Sequence, residues 1–135
     1  MKKILFVLLL FSIGLNLQAQ NKKKIKEAAI QEKITWKIDY VSGKEIKHKE
    51  KEEYYNIEGE LSEIKEFEIN GTIKSNIKYE YSTDGMIIKE IYLNKYGKVE
   101  QTIIYKYGGK LKTEKQVVDG DGKVIAKKFY EYKKR

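Results

Sequence analysis

Eleven tyrosines, a single histidine and no cysteine set the chemistry open to this 135-residue chain. Six of the tyrosines fall in pairs one residue apart: Tyr79 and Tyr81, Tyr105 and Tyr107, Tyr130 and Tyr132. Rings set in a row make a platform for sugar rings or for bases. The same rings make a core when they share a face with aliphatic side chains. Ile73, Ile77, Val99, Ile103, Val124 and Ala126 keep their parity, which weighs toward a core; both roles remain open to the array.

The other candidates are weaker. His48 sits inside a run of charge, and no sequence context gives it a serine or cysteine nucleophile to activate. Zinc prefers several histidine or cysteine ligands, and one histidine does not supply them. Asp119-Gly120-Asp121-Gly122 looks like half a calcium loop, but such a loop needs about six oxygens, and Lys123 would oppose the ion. A glycine-rich hairpin turn is the simpler reading. Glu50, Glu52, Glu53, Glu60, Glu63, Glu66 and Glu68 could be paired into a glycosidase-like site in many ways, so no pairing is favoured; their spacing is that of a solvated face. No catalytic residue, cofactor or metal ligand is assigned.

Charge narrows the partners. Without Lys2 and Lys3 the chain keeps 26 basic residues against 20 acidic ones, a balance of +6. All of the basic residues except Arg135 are lysine. Bidentate reading of phosphate or guanine favours arginine, so nucleic acid is not an expected partner. Lysines interleaved with glutamates keep an exposed sheet soluble and discourage edge-to-edge pairing. The basic tail, Lys127, Lys128, Lys133, Lys134 and Arg135, has the charge to dock on anionic polysaccharide or lipid head groups.

Residues 1–20 read as a signal peptide. Lys2 and Lys3 precede an apolar run from Ile4 to Leu15, and a polar, small-residue exit allows cleavage after Ala19 or Gln20. The run is shorter than the roughly 20 residues that cross a bilayer, and a retained anchor is the alternative. No cysteine follows it to carry a lipid. Export to the periplasm, the outer surface or the medium is expected, with no membrane span in the mature chain. The remainder, about 115 residues, is one domain's worth. It has neither disulfide nor proline, so packing and ladder hydrogen bonds must hold it.

Residues 21–33 form a polar lead or weak helix, and 34–135 a β domain. Ile34 to Tyr40 alternates apolar and polar residues as a half-buried strand does. Lys44 to Glu53 is nearly all charge and reads as an irregular outer strand. From Tyr54 onward, turn glycines fall at Gly59, Gly71, Gly85, Gly97, Gly109 and Gly122, spaced by 12, 14, 12, 12 and 13 residues. Each interval fits one strand and a turn, with Asn70-Gly71 and Asp84-Gly85 suited to positive φ. The predicted fold is all-β: an antiparallel meander of about seven to nine strands, open and twisted or partly curled. In it the paired tyrosines lie about 10 Å apart on second-neighbour strands and pack with Leu61, Phe67, Ile91 and Val117.

The phrase Tyr-x-Tyr-x-x-x-Gly-x-Ile/Val, in Tyr79 to Ile87 and its later copies, resembles the YD (Rhs-type) repeats of bacterial secreted and surface proteins. It is also similar to the MORN-like variant repeats of small bacterial proteins. The likeness runs from about Tyr54 to Tyr132. Asp does not directly follow the tyrosines here, and the usual arginine after the glycine is replaced. The resemblance implies a repeat-built sheet and carries over no catalytic residue. The expected function is that of an exported, non-enzymatic protein binding an envelope polymer or a protein partner. The alternative is a small inhibitor or immunity-type protein acting on a secreted toxin or enzyme by edge-strand pairing. A carboxylate hydrolase ranks last.

Overall fold

The hairpin turns are built from residues that satisfy their own backbone. Asn56 Oδ1 accepts the amides of Glu58 and Glu60, Asn94 Oδ1 those of Tyr96 and Lys98, and Asp119 Oδ1 those of Asp121 and Lys123. Each such turn closes on a glycine with positive φ, as at Gly59, Gly97 and Gly122. A type I turn followed by a left-handed glycine joins antiparallel neighbours through a three-residue loop. Asp119 therefore does in its turn what the uncharged Asn94 does in another.

Between the turns the chain forms one sheet. The computed structural model describes residues 15–135. Helix α1 (Leu15–Glu27) precedes strands β1 (Glu32–Val41), β2 (Lys44–Tyr55), β3 (Leu61–Phe67), β4 (Ile73–Tyr81), β5 (Ile87–Leu93), β6 (Val99–Gly108), β7 (Leu111–Asp119) and β8 (Val124–Phe129). The eight strands pair antiparallel in sequence order, and the sheet does not close: β1 and β8 are its edges. The all-β meander expected from the sequence is thus what forms, in its open version. All of the apolar run of the proposed signal peptide except Leu15 lies outside the described residues. Among those described, no helix is long and apolar enough to cross a membrane.

Every one of the seven strand pairings carries a β-bulge. Beyond the first hairpin it falls near the start of the strand leaving the turn, skipping Ser62, Lys74, Ile88, Glu100, Thr113 and Ile125. A bulge adds twist and resets which face the following residues take. This corrects the strict alternation expected above. Ile73, Val99 and Val124 pair with Phe67, Leu93 and Val118, across the sheet from the tyrosine pairs. Ile91 pairs with Lys78 and Thr102, and Phe67 lies under Lys49, so both leave the tyrosine face; Leu61 and Val117 stay on it.

The charged stretch Lys44 to Glu53 is corrected in part: β1 lies outside it in the sheet, but Lys44 to Lys49 pair with β1 alone, and only Lys51 to Glu53 are paired with β3 as well. Its charges are tolerated because cross-strand and near neighbours balance them: Lys33 with Glu53, Lys49 with Glu52 and Lys51 with Glu53.

Apolar burial is concentrated in the middle of one face. Ile77, Tyr79 and Ile103 are the most enclosed apolar side chains among the described residues, at 8%, 8% and 5% exposure. Among the described residues no large side chain is fully buried, as a single layer without a covering sheet dictates. At one end of the strands, α1 packs on the Asn56–Glu60 turn. Lys26 Nζ meets Glu58 at 2.6 Å and Lys22 Nζ meets Glu60 at 3.2 Å. A Cβ on Gly59 would stand 2.5 Å from the Lys22 carbonyl oxygen, so this contact requires glycine.

Candidate functional site

The six tyrosines share one face but divide into two jobs. Tyr81, Tyr107 and Tyr132 each donate a phenol hydrogen bond to a backbone carbonyl twenty residues earlier: Leu61 at 2.7 Å, Ile87 at 2.6 Å and Lys112 at 2.7 Å. Each bond crosses to the neighbouring strand at the end of a hairpin, where ladder bonds run out. A buried-side donor with a fixed acceptor ties the strand pair and spares an unpaired carbonyl.

Tyr79, Tyr105 and Tyr130 point the same way one step closer to the sheet's middle. Tyr79 pairs directly with Glu90. Glu90 accepts Tyr105 Oη at 3.1 Å and Tyr92 Oη at 2.8 Å. The result is a carboxylate ringed by phenols. Burial, helped by the Glu90 charge, pushes the Tyr79, Tyr92 and Tyr105 hydroxyls well above the usual phenol range. They remain neutral donors across the physiological range. Exposure rises along the series: Tyr79 is buried, Tyr105 half-buried, and Tyr130 and Tyr132 stand 37% and 52% exposed. The array is therefore core at its β4 end and open surface at its β8 end.

Glu90 and Tyr92 belong to this cluster and were missed in the sequence. Ile87 to Leu93 alternates so that Ile91 shares parity with Ile87, and only the bulge at Ile88 turns Glu90 and Tyr92 toward the tyrosines. A further row follows on the same face. Tyr105 pairs with Lys115, and Lys115 pairs with Lys128. Lys112 Nζ lies 4.1 Å from the centre of the Tyr105 ring. Burial first, and the Lys128 charge second, hold the Lys115 ammonium below its usual range, with Glu90 opposing them. The basic tail is not one patch: Lys127 pairs with Gln116 on the opposite face, while Lys128 joins the tyrosines.

At the other end of the sheet, His48 Nε2 lies 2.6 Å from Asp39 Oδ2, and Lys37 Nζ lies 3.2 Å from the same carboxylate. Hydrogen bonding from His48, then from Lys37, holds Asp39 below the usual carboxylate range. A shallow open groove beside them is lined by Lys51, Glu66, Phe67 and Lys74 and presents no serine, threonine or cysteine. His48 is thereby oriented, but toward no nucleophile in that groove. No family model matches this chain, and no curated protein shows significant similarity to it.

Proposed function

We propose that this chain is an exported, non-enzymatic binding protein that holds an extended envelope polymer or a protein partner against its tyrosine face. The observation that carries this reading is the uneven cover of that face. Ile77, Tyr79 and Ile103 are enclosed, yet the aromatic row continues outward to Tyr130 and Tyr132, which no second layer covers among the described residues. Exposed rings beside fixed charges suit an extended ligand laid across strands. The phenol-to-carbonyl bonds stiffen the strand pairs beneath and so keep the platform in shape before a ligand arrives. The YD-like spacing agrees with a reused scaffold of this kind. The test is titration of the purified chain with a panel of envelope polysaccharides and extracted envelope proteins. Saturable binding that Tyr130→Ala weakens, with the fold intact by circular dichroism, supports the reading. Binding indifferent to Tyr130 and Tyr105 contradicts it.

The inhibitor reading rests on a different observation. Edge strand β1 is unpaired on its outer side and exposes Trp36, Ile38 and Tyr40, as a strand awaiting a partner strand would. Ile38→Pro would remove an outward-facing backbone donor there. A stoichiometric protein partner lost on that change favours the inhibitor.

A further inference from the structure

Lys115 and Lys128 stand directly opposite one another on the tyrosine face. Like charges in that position destabilise a sheet. Among the described residues neither ammonium has a carboxylate in ion-pair reach, and Lys112, on the same face, has none either. Elsewhere the chain balances such charges: Lys106 meets Glu114 at 3.2 Å on the opposite face of the same strand pair. Glu90 is the one acid of the cluster, and it is already engaged by two phenols.

Resting on the polymer-binding reading above, we infer that the β7–β8 end of the tyrosine face seats the carboxylates of an acidic polysaccharide. The Lys115–Lys128 pair receives a sugar carboxylate between its two ammoniums. The rings of Tyr105 and Tyr130 flank it and meet the apolar face of the sugar. Charge complementarity names the anion, and the aromatic border favours a glycan over an acidic peptide, which would need backbone pairing instead. A bound carboxylate relieves the repulsion that the free sheet carries, so ligand and sheet edge stabilise each other. Lysine acts here as a point charge and asks for no planar, bidentate geometry. It tolerates the varied carboxylate positions along a flexible polymer.

The test uses the full chain and polygalacturonate, with the fully methyl-esterified polymer as a probe of the same shape without the charge. Phosphatidylglycerol vesicles and polyglutamate test the lipid and peptide sources. The expected result is affinity for the acid form about tenfold or more above the ester, and a loss of about tenfold in Lys115→Gln/Lys128→Gln. Lys44→Gln/Lys98→Gln, which removes equal charge elsewhere, should change affinity less than about twofold. A second variant guards against a folding artefact. Lys128→Glu should raise the melting temperature by about 1–2 °C while abolishing binding, opposite signs that mere loss of structure would not give. Equal losses in the two double variants overturn the inference, as does equal or tighter binding of vesicles or polyglutamate. Equal binding of acid and ester overturns the acidic ligand but leaves the polymer-binding face standing. No polymer bound by the tyrosine face overturns the inference together with the polymer-binding reading it rests on.

Discussion

The hairpins at the two ends of the sheet are made alike and charged differently. From Glu32 to Tyr55 six lysines face six acids, and β1–β2 pairs them: Lys33 and Lys51 with Glu53, Lys37 with Asp39, Lys49 with Glu52. From Leu111 to Arg135 eight basic residues meet four acids, and among the described residues Lys112, Lys115 and Lys128 on the tyrosine face have no carboxylate partner. An exposed ion pair adds little stability, so pairing at the first end chiefly keeps a wet strand neutral. Leaving like charges opposed at the other end costs stability for no folding gain. The difference teaches where to look for a ligand: at the end where the sheet tolerates repulsion. Between the two ends lie the strands that hold the fold, β4 to β6, where the enclosed side chains sit.

That three-part division can be broken by substitution. The largest effect belongs to the middle: Ile77→Ala should cost about 2–3 kcal/mol, whereas Ile38→Ala at the β1 edge should cost under about 1 kcal/mol, read by urea unfolding. Next comes the helix contact. Gly59→Ala combines a left-handed φ with a clash against the Lys22 carbonyl and should cost about 2–3 kcal/mol. Gly97→Ala, with open space around it, should cost only about 1 kcal/mol. Smaller still is the phenol tie: Tyr107→Phe should lose about 1 kcal/mol, and Tyr132→Phe, at the exposed end, less.

pH separates the regions in opposite directions. Asp39 and Glu52 are held below their usual range, Glu52 chiefly by its hydrogen bond from Lys49. Their contribution is present above the unfolded carboxylate range, near pH 4, and is lost as pH falls through the lower folded values. The β1–β2 end, with two such groups, should therefore loosen first in acid, and β7 after it through Glu114, which hydrogen bonds from Gln116 and Lys106 hold low. Tyr79, Tyr92 and Tyr105 are held above the usual phenol value. Their contribution is complete below about pH 10 and is lost as pH rises from there through the folded values. The centre, which holds these three and the likewise raised Tyr81, should weaken most in alkali, and β2 after it through Tyr54 and Tyr55, which are raised too. Amide exchange followed strand by strand at pH 3 and pH 11 would reveal the order; the same strands opening first at both extremes would contradict it.

Much of the fold was legible because turn chemistry is local. Gly59, Gly85 and Gly97 announce themselves by residue type, and their spacing sets strand length. The bulges were not legible. Ser62, Glu100 and Thr113 share no residue type, and a skipped residue leaves no mark in the sequence until its neighbour's register is known. One such skip, at Ile88, hid Glu90 and Tyr92. Lys44 to Glu53 was legible in part: Lys44 to Lys49 do lack a partner on the β3 side, but the pairing of Lys51 to Glu53 with Ile64 to Glu66 leaves no mark in the spacing of charges. The tyrosine pairs pointed to the right face, but the opposition of Lys115 and Lys128 depends on a pairing across a turn and a bulge, which no spacing in the sequence reveals.

The most direct measurement is a backbone and side-chain NMR titration of the full chain with polygalacturonate. Shifts should gather at Tyr105, Lys115, Lys128 and Tyr130 and spare Lys78, Ile91 and Thr102 on the reverse of the sheet. Shifts centred on that reverse side, or spread evenly over every lysine, would contradict the account.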